Sequence, residues 1–148
     1  MTTFADMSKR YKEAIKGGLL YEEAIMSTDI ELIEVNKDDL LHGLNALGAK
    51  ITPRYKSANY AAKKEQRNAL PGYGTPDIRQ TGSFYDHIEF IIQGKRLIWQ
   101  NTDVKAPDLL AKYGSLLGVF ENNTLQVYRQ QYLYPAIATL IKQRTGMQ

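Results

Sequence analysis

The sequence predicts an α+β fold in a single domain, an antiparallel β-meander sheet packed by N-terminal helices and a kinked C-terminal helix. Three observations lead there. Phe4, Met7, Tyr11, Ala14 and Ile15 recur at helical spacing near the start. Residues Ile88 to Trp99 place alternating apolar side chains on either side of a glycine, as the two arms of a hairpin do. Leu125, Tyr128, Tyr132, Leu133, Ile137, Leu140 and Ile141 form a last helical stripe that Pro135 interrupts. At 148 residues the chain needs only one domain, which buries roughly two thirds of the surface its unfolded form exposes. Residues 1–35 read as a helical N-terminal region and 36–148 as the α+β core.

Taken in order, the first helix keeps Lys9, Arg10, Lys12, Glu13 and Lys16 between its apolar positions, and Gly17-Gly18 stops it. A second helical pattern starts near Leu19 with Leu20, Ala24, Ile25, Ile30 and Ile33, and Ser27-Thr28-Asp29 can interrupt and recap it. Residues 36–48 support two readings. Asn36 suits an N-cap, with Asp38 and Asp39 in a first turn and Gly48 past the end. Equally, Asn45 and Gly48 suit the first and fourth positions of a type I turn, which makes 40–55 a hairpin. Helix or loop to about residue 44 is preferred.

Ser57 caps a helix running through Tyr60 to Asn68, built from good helix formers and ended by Pro71-Gly72. The loop 71–76 hands over to the hairpin. With Gln93-Gly94 as its turn, Ile92 faces Lys95, Phe90 faces Leu97 and Ile88 faces Trp99, while Glu89 faces Ile98 and Ile91 faces Arg96 behind them. Pro107 then suits the first position of a short helix closed by Gly114. Thr124 opens the last helix, which must kink or split near Tyr134 because Pro135 lacks an N–H and clashes with the preceding turn.

Composition narrows the function more than it names one. Without cysteine there is neither a disulfide framework nor thiolate chemistry. The N-terminus lacks a signal-peptide core, and no apolar run approaches the roughly 20 residues of a membrane span, so a soluble protein is expected. The net charge of +3 is unevenly spread, with −4 over residues 1–48, +5 over 49–70 and +2 over 71–148. Lys50, Arg54, Lys56, Lys63, Lys64 and Arg67 supply the positive segment, interleaved with Tyr55 and Tyr60. Six such cations can neutralise phosphates in a salt-sensitive, sequence-independent contact. They can also form a solvated helix face, or meet the acidic 22–39 stretch of a second copy.

Reaction chemistry finds little support. His42 and His87 lie far apart in sequence, and neither has a second metal ligand at helical spacing. Asp86 and His87 are neighbours, which on a strand point to opposite faces. The glycines show neither phosphate-loop nor dinucleotide spacing and read as turns. The expectation is a protein that is not an enzyme, with no cofactor, no metal and no catalytic set. Ten tyrosines, several beside glycines, fit partner contacts as well as a thin core.

One resemblance emerges from the order of short motifs. Leu40-Leu-His-Gly43, Gly48-Ala-Lys-Ile-Thr-Pro-Arg-Tyr55, Tyr60-Ala-Ala-Lys63, Pro76-Asp-Ile-Arg-Gln-Thr-Gly-Ser-Phe-Tyr85, Leu110-Ala-Lys-Tyr-Gly114 and Tyr134-Pro-Ala-Ile137 follow one another. This order resembles small virion proteins of tailed bacteriophages and prophages, of the head–tail joining and tail-completion type. The resemblance covers about residues 36–141. It implies that Thr81, Gly82 and Phe84 open the sheet, that Tyr113 and Gly114 follow it, and that Pro135 marks the packed C-terminal helix. It further implies a structural subunit that forms a ring of copies at the neck of the virion. Portal, adaptor or tail-tube proteins are its implied partners, and a basic surface tolerates passing DNA. Such a subunit is made in the bacterial host cytoplasm and resides in the virion, with no membrane partner. The chain departs from the pattern in lacking a second basic or polar decoration after Tyr113-Gly114, and in its extended N-terminal helical region.

Overall fold

Thr3 and Asp6 cap the first helix reciprocally: the Asp6 N–H donates to Thr3 Oγ1 at 3.1 Å and the Thr3 N–H to Asp6 Oδ2 at 3.0 Å. These bonds hold the Asp6 carboxyl below its ordinary range. The computed structural model describes residues 3–15 and 19–146, so the stop read at Gly17-Gly18 lies outside the described residues. Its elements are helices α1 (Phe4–Ile15), α2 (Leu19–Ser27), α3 (Asp29–Leu41), α4 (Ala58–Arg67) and α5 (Ser83–Asp86), strands β1 (Ile88–Gln93) and β2 (Arg96–Asn101), and helices α6 (Ala106–Tyr113), α7 (Asn123–Tyr128) and α8 (Tyr134–Thr145). A π-helical turn, Arg129–Leu133, joins the last two. The class is α+β. Two compact units divide the chain, residues 3–32 with 126–146 in one and 33–125 in the other.

The first unit is helical. The α2 helix ends where the Thr28 hydroxyl lies 2.8 Å from the Ala24 carbonyl, and Asp29 Oδ1 accepts the Ile30 N–H at 2.8 Å to start α3. The interruption expected at 27–29 is therefore real. Against α1 and α2 packs α8, with Leu20, Ala24, Leu32 and Tyr128 buried. The Tyr128 hydroxyl lies 2.8 Å from that of Thr28. Burial pushes the Tyr128 phenol up, so it stays a neutral partner in this bond.

The split expected near Tyr134 is also found, and its form is specific. Pro135 cannot donate to the helix ladder. The turn before it widens, and the Tyr134 N–H reaches back five residues to the Arg129 carbonyl. Asn122 opens the preceding helix by accepting the Leu125 N–H at 2.9 Å, so α7 begins at Asn123 and the cap is not Thr124.

The second unit carries the sheet and the larger apolar cluster, in which Leu40, Ile51, Ile78, Phe84, Ile88 and Leu116 are buried together. Both readings of 36–55 contribute. A helix is present, but it started at Asp29, so Asn36 lies inside α3 rather than at its cap, and Asp38 and Asp39 lie toward its end rather than in a first turn. The boundary read between 35 and 36 falls within that helix. Fully buried, Asn36 donates from Nδ2 to the Leu116 carbonyl at 3.0 Å. Past Gly43, the Asn45 to Gly48 turn forms as well. Asn45 Oδ1 accepts from Leu47 and Ala49, and Leu44 bridges Lys50 antiparallel.

The sheet has two strands among the described residues, so the expected meander is a single hairpin. Its register differs from the sequence reading by two residues: Gln93 pairs Arg96, Ile92 pairs Leu97, Phe90 pairs Trp99 and Ile88 pairs Asn101. The turn is Gly94-Lys95, because glycine takes the first central position at φ 63°, where a side chain is disfavoured. A slip of two keeps each residue on its face. Phe90 and Trp99, which the sequence reading placed on one face but not opposite each other, pair directly with rings 5.0 Å apart on the core side.

One buried carboxyl in this unit is poorly satisfied. Asp39 is 3% exposed; its Oδ1 accepts from Asn122 Nδ2 at 2.8 Å, while its Oδ2 has no hydrogen-bond partner among the described residues. Burial, with Asp38 adding to it, pushes its pKa from 3.8 up to about 6 against the opposing Asn122 bond. A raised folded-state pKa means the contribution to stability is fully present below the unfolded value and is lost as pH rises through about 6. Asp39→Asn keeps the acceptor and removes the charge. It is expected to stabilise the protein by about 1–2 kcal/mol at pH 8 and by almost nothing at pH 4. Urea melts of both proteins at the two pH values check this, and a gain that does not vary with pH contradicts it.

Candidate functional site

The densest polar chemistry surrounds a buried strap, Thr75 to Ile78, that leads into the hairpin. Its centre is Asp77. Oδ1 accepts the Arg79 N–H at 3.0 Å and lies 2.8 Å from Lys64 Nζ, and Oδ2 accepts Asn68 Nδ2 at 3.2 Å. Lys64 also donates to the Arg79 carbonyl, and the Tyr85 hydroxyl donates to the Asp77 carbonyl. Burial, then the Asp77 charge, pushes the Tyr85 and Tyr55 phenols upward, so both remain protonated. Within this cage Ile78 takes φ 58°, a left-handed conformation that is strained for a β-branched side chain. The surrounding bonds hold it there.

Over the strap opens a cleft of about 110 Å³. The aromatic residues Tyr55, Tyr60, Phe84 and Tyr113 line it together with Lys64 and the strap residues Pro76 and Ile78. Local sequence explains the placement. Ser57 Oγ accepts the Tyr60 N–H at 3.2 Å and caps α4, which aims Tyr60 and Lys64, one turn apart, at the strap. Tyr55 and Tyr60 meet edge to face, centroids 5.0 Å apart. Gly82, at φ 88°, turns the chain into α5 and brings Phe84 inward. Pro107 near the start of α6 and Gly114 past its end bound the helix that supplies Tyr113.

The rim carries charge. Arg79 and Lys105 are exposed and make no salt bridge among the described residues. Asp103, also on the rim, has its carboxylate engaged by the Lys105 N–H at 2.9 Å and by Ser83, bonds that keep its pKa below the ordinary value.

Of the residues read from sequence, Thr81, Gly82, Phe84, Tyr113 and Lys64 converge on this cleft. Gly114 lies just beyond it, its N–H donating to the Leu110 carbonyl at 2.9 Å, and Pro135 belongs to the other unit. Within the basic segment, Lys50, Arg54, Lys56, Lys63 and Arg67 are exposed. Lys64 is not part of that solvated face. Its side chain is 9% exposed against a 4% exposed Asp77. Sequence reasoning missed Asp77, Arg79 and Lys105; only the strap's Pro-Asp start hinted at a fixed turn.

Chemically, the cleft can hold a flat or apolar group beside a negative charge. The Asp77 carboxylate is occupied by Lys64, so it is not poised as a base. Asp86 ends α5 and His87 caps it, Nδ1 lying 2.7 Å from the Ser83 carbonyl oxygen, so this pair is not on a strand as expected. Among the described residues no three His, Cys, Asp or Glu side chains cluster to hold a metal ion, and no helix is long and apolar enough to cross a membrane. No protein-family model, no curated protein and no solved structure matches the chain.

Proposed function

We propose that the protein is a structural virion subunit of a tailed bacteriophage or prophage, a head–tail connector or tail-completion protein that works by joining copies of itself into a ring at the neck. The motif order of residues 36–141 supports this reading. So does the role each matching residue takes: Gly82 and Gly114 are turn positions, while Phe84 and Tyr113 pack the unit around the hairpin.

The observation that carries it is the hairpin itself. No third strand pairs with either edge of β1 and β2 among the described residues. Unpaired strand edges are ready templates for another chain. On the outward face Ile91 and Ile98 sit opposite one another, 47% and 37% exposed, beside the Gln100 to Glu89 bond. A neighbouring subunit that covers these residues satisfies both the edge and the apolar pair, and rotational repetition of one such contact closes a ring.

Mass photometry of the protein alone and mixed with portal and tail-tube proteins tests this. Rings are expected, and Ile91→Lys with Ile98→Lys is expected to shift them to monomers without changing the circular dichroism spectrum. A wild-type protein that stays monomeric in every mixture contradicts the reading.

A further inference from the structure

We infer that the cleft over the strap is a binding site for single-stranded nucleic acid, one unpaired base entering between the tyrosines while flanking phosphates lie on exposed cations. Its shape supports the base. Tyr55, Tyr60, Phe84 and Tyr113 are among the residues lining a cleft of about 110 Å³, and aromatic side chains accept any base by stacking. Its surroundings support the phosphates. Arg79 and Lys105 stand on the rim. From Tyr60, which lines the cleft, Lys63 and Arg67 follow at helical spacings of three and seven, so they extend along the same side of α4.

These two helix cations stand about 6 Å apart along the axis, and neither forms a salt bridge among the described residues. Lys64, the residue between them that is paired, is the one turned into the fold. Of the negative groups nearby, Asp77 is neutralised by Lys64, whereas Asp103 stays ionised on the rim, its charge held by the bonds from Ser83 and the Lys105 N–H. Four cations, Arg79, Lys105, Lys63 and Arg67, outnumber this one carboxylate around the aromatic slot and along the helix beside it, a balance that favours a polyanion carrying rings. A duplex, its bases stacked inside, can use the cations but not the slot.

This site lies within residues 33–125 of one chain and does not depend on ring formation. Binding by a monomer leaves it standing, and a ring that does not bind removes it while leaving the proposed function intact.

The test is fluorescence anisotropy with the full chain, using a labelled oligothymidylate of about 12 nucleotides, a duplex of equal length and an abasic oligomer, each at two salt concentrations. The single strand is expected to bind at least about tenfold more tightly than either control. Tyr60→Ala, at a position already 40% exposed, is expected to weaken the single strand about 5- to 100-fold and leave the duplex and abasic oligomer unchanged. Arg79→Glu is expected to weaken all three and flatten the salt dependence; circular dichroism confirms that both variants fold. Equal affinity for the three oligomers, no binding at low salt, or tighter binding of an acidic phenylalanine-containing peptide than of the single strand overturns the inference.

Discussion

Lys64→Met is expected to lower the stability of the fold by about 3–5 kcal/mol, the largest effect of any single change considered for this molecule. Two charges sit out of water at 2.8 Å, with side chains only 9% and 4% exposed. Each offsets the other's desolvation. Methionine matches the alkyl stem but strands the Asp77 carboxylate with, among the described residues, only the Arg79 N–H and Asn68 Nδ2 as donors. It also removes the bond to the Arg79 carbonyl, so the strap loses two of its ties.

Asp77→Asn is expected to cost nearly as much, because an unpaired ammonium is then left inside. The pair Lys64→Met with Asp77→Asn should be clearly less damaging than the two single losses added together, since neither charge remains. Urea denaturation of the four proteins gives the coupling energy directly. Additive losses, or a Lys64→Met loss below about 1 kcal/mol, would mean that the strap is held by something other than this ion pair. Because Pro76 and Ile78 of the strap line the cleft, the same variants are expected to weaken any ligand that enters there.

That ion pair marks the limit of what the sequence made legible. Within Ala61-Ala-Lys63-Lys64-Glu65, Lys64 has the local look of a solvated helix cation, and nothing beside it points to an acid thirteen positions on. Asn36 misleads in the same way. Its residue type suits a cap, yet its partner is the Leu116 carbonyl, eighty residues away. Features set by neighbours were readable: Ser57 as a cap, the break at Thr28, Pro107 near a helix start and the split before Pro135. The hairpin lies between these cases. Alternation fixed which residues share a face, but the pairing depended on where Gly94 sits in the turn, and a shift of two leaves the pattern unchanged. The cleft was half legible for this reason. Thr81, Gly82 and Phe84 are neighbours in the chain, whereas Tyr113, also a motif residue, and Tyr60 and Lys105 come from other elements and meet them only once the strap is pinned.

Gly43→Ala is expected to cost about 3 kcal/mol, and its cause can be separated by a control. Gly43 ends α3 at φ 74°, where an L-residue loses roughly 1–2 kcal/mol. Its position is also crowded. A Cβ there falls 2.6 Å from Pro71 Cβ and Cγ and 2.8 Å from Thr75 Cγ2, so ring or backbone must move, at roughly 1–3 kcal/mol more. Gly82→Ala places the same methyl at φ 88° with, beyond its chain neighbours, no atom of the described residues within 4 Å, so only the backbone penalty of about 1–2 kcal/mol applies. Chemical denaturation of both variants measures the difference. A gap of about 1–2 kcal/mol assigns the remainder to the contact with Pro71 and Thr75; equal losses would show that this contact yields freely. The contact matters because Gly43 also accepts the Ile51 N–H at 2.8 Å. One residue without a side chain thus lets the end of α3, the turn before Ile51 and the loop 71–75 meet, and that loop is the approach to the strap beneath the cleft.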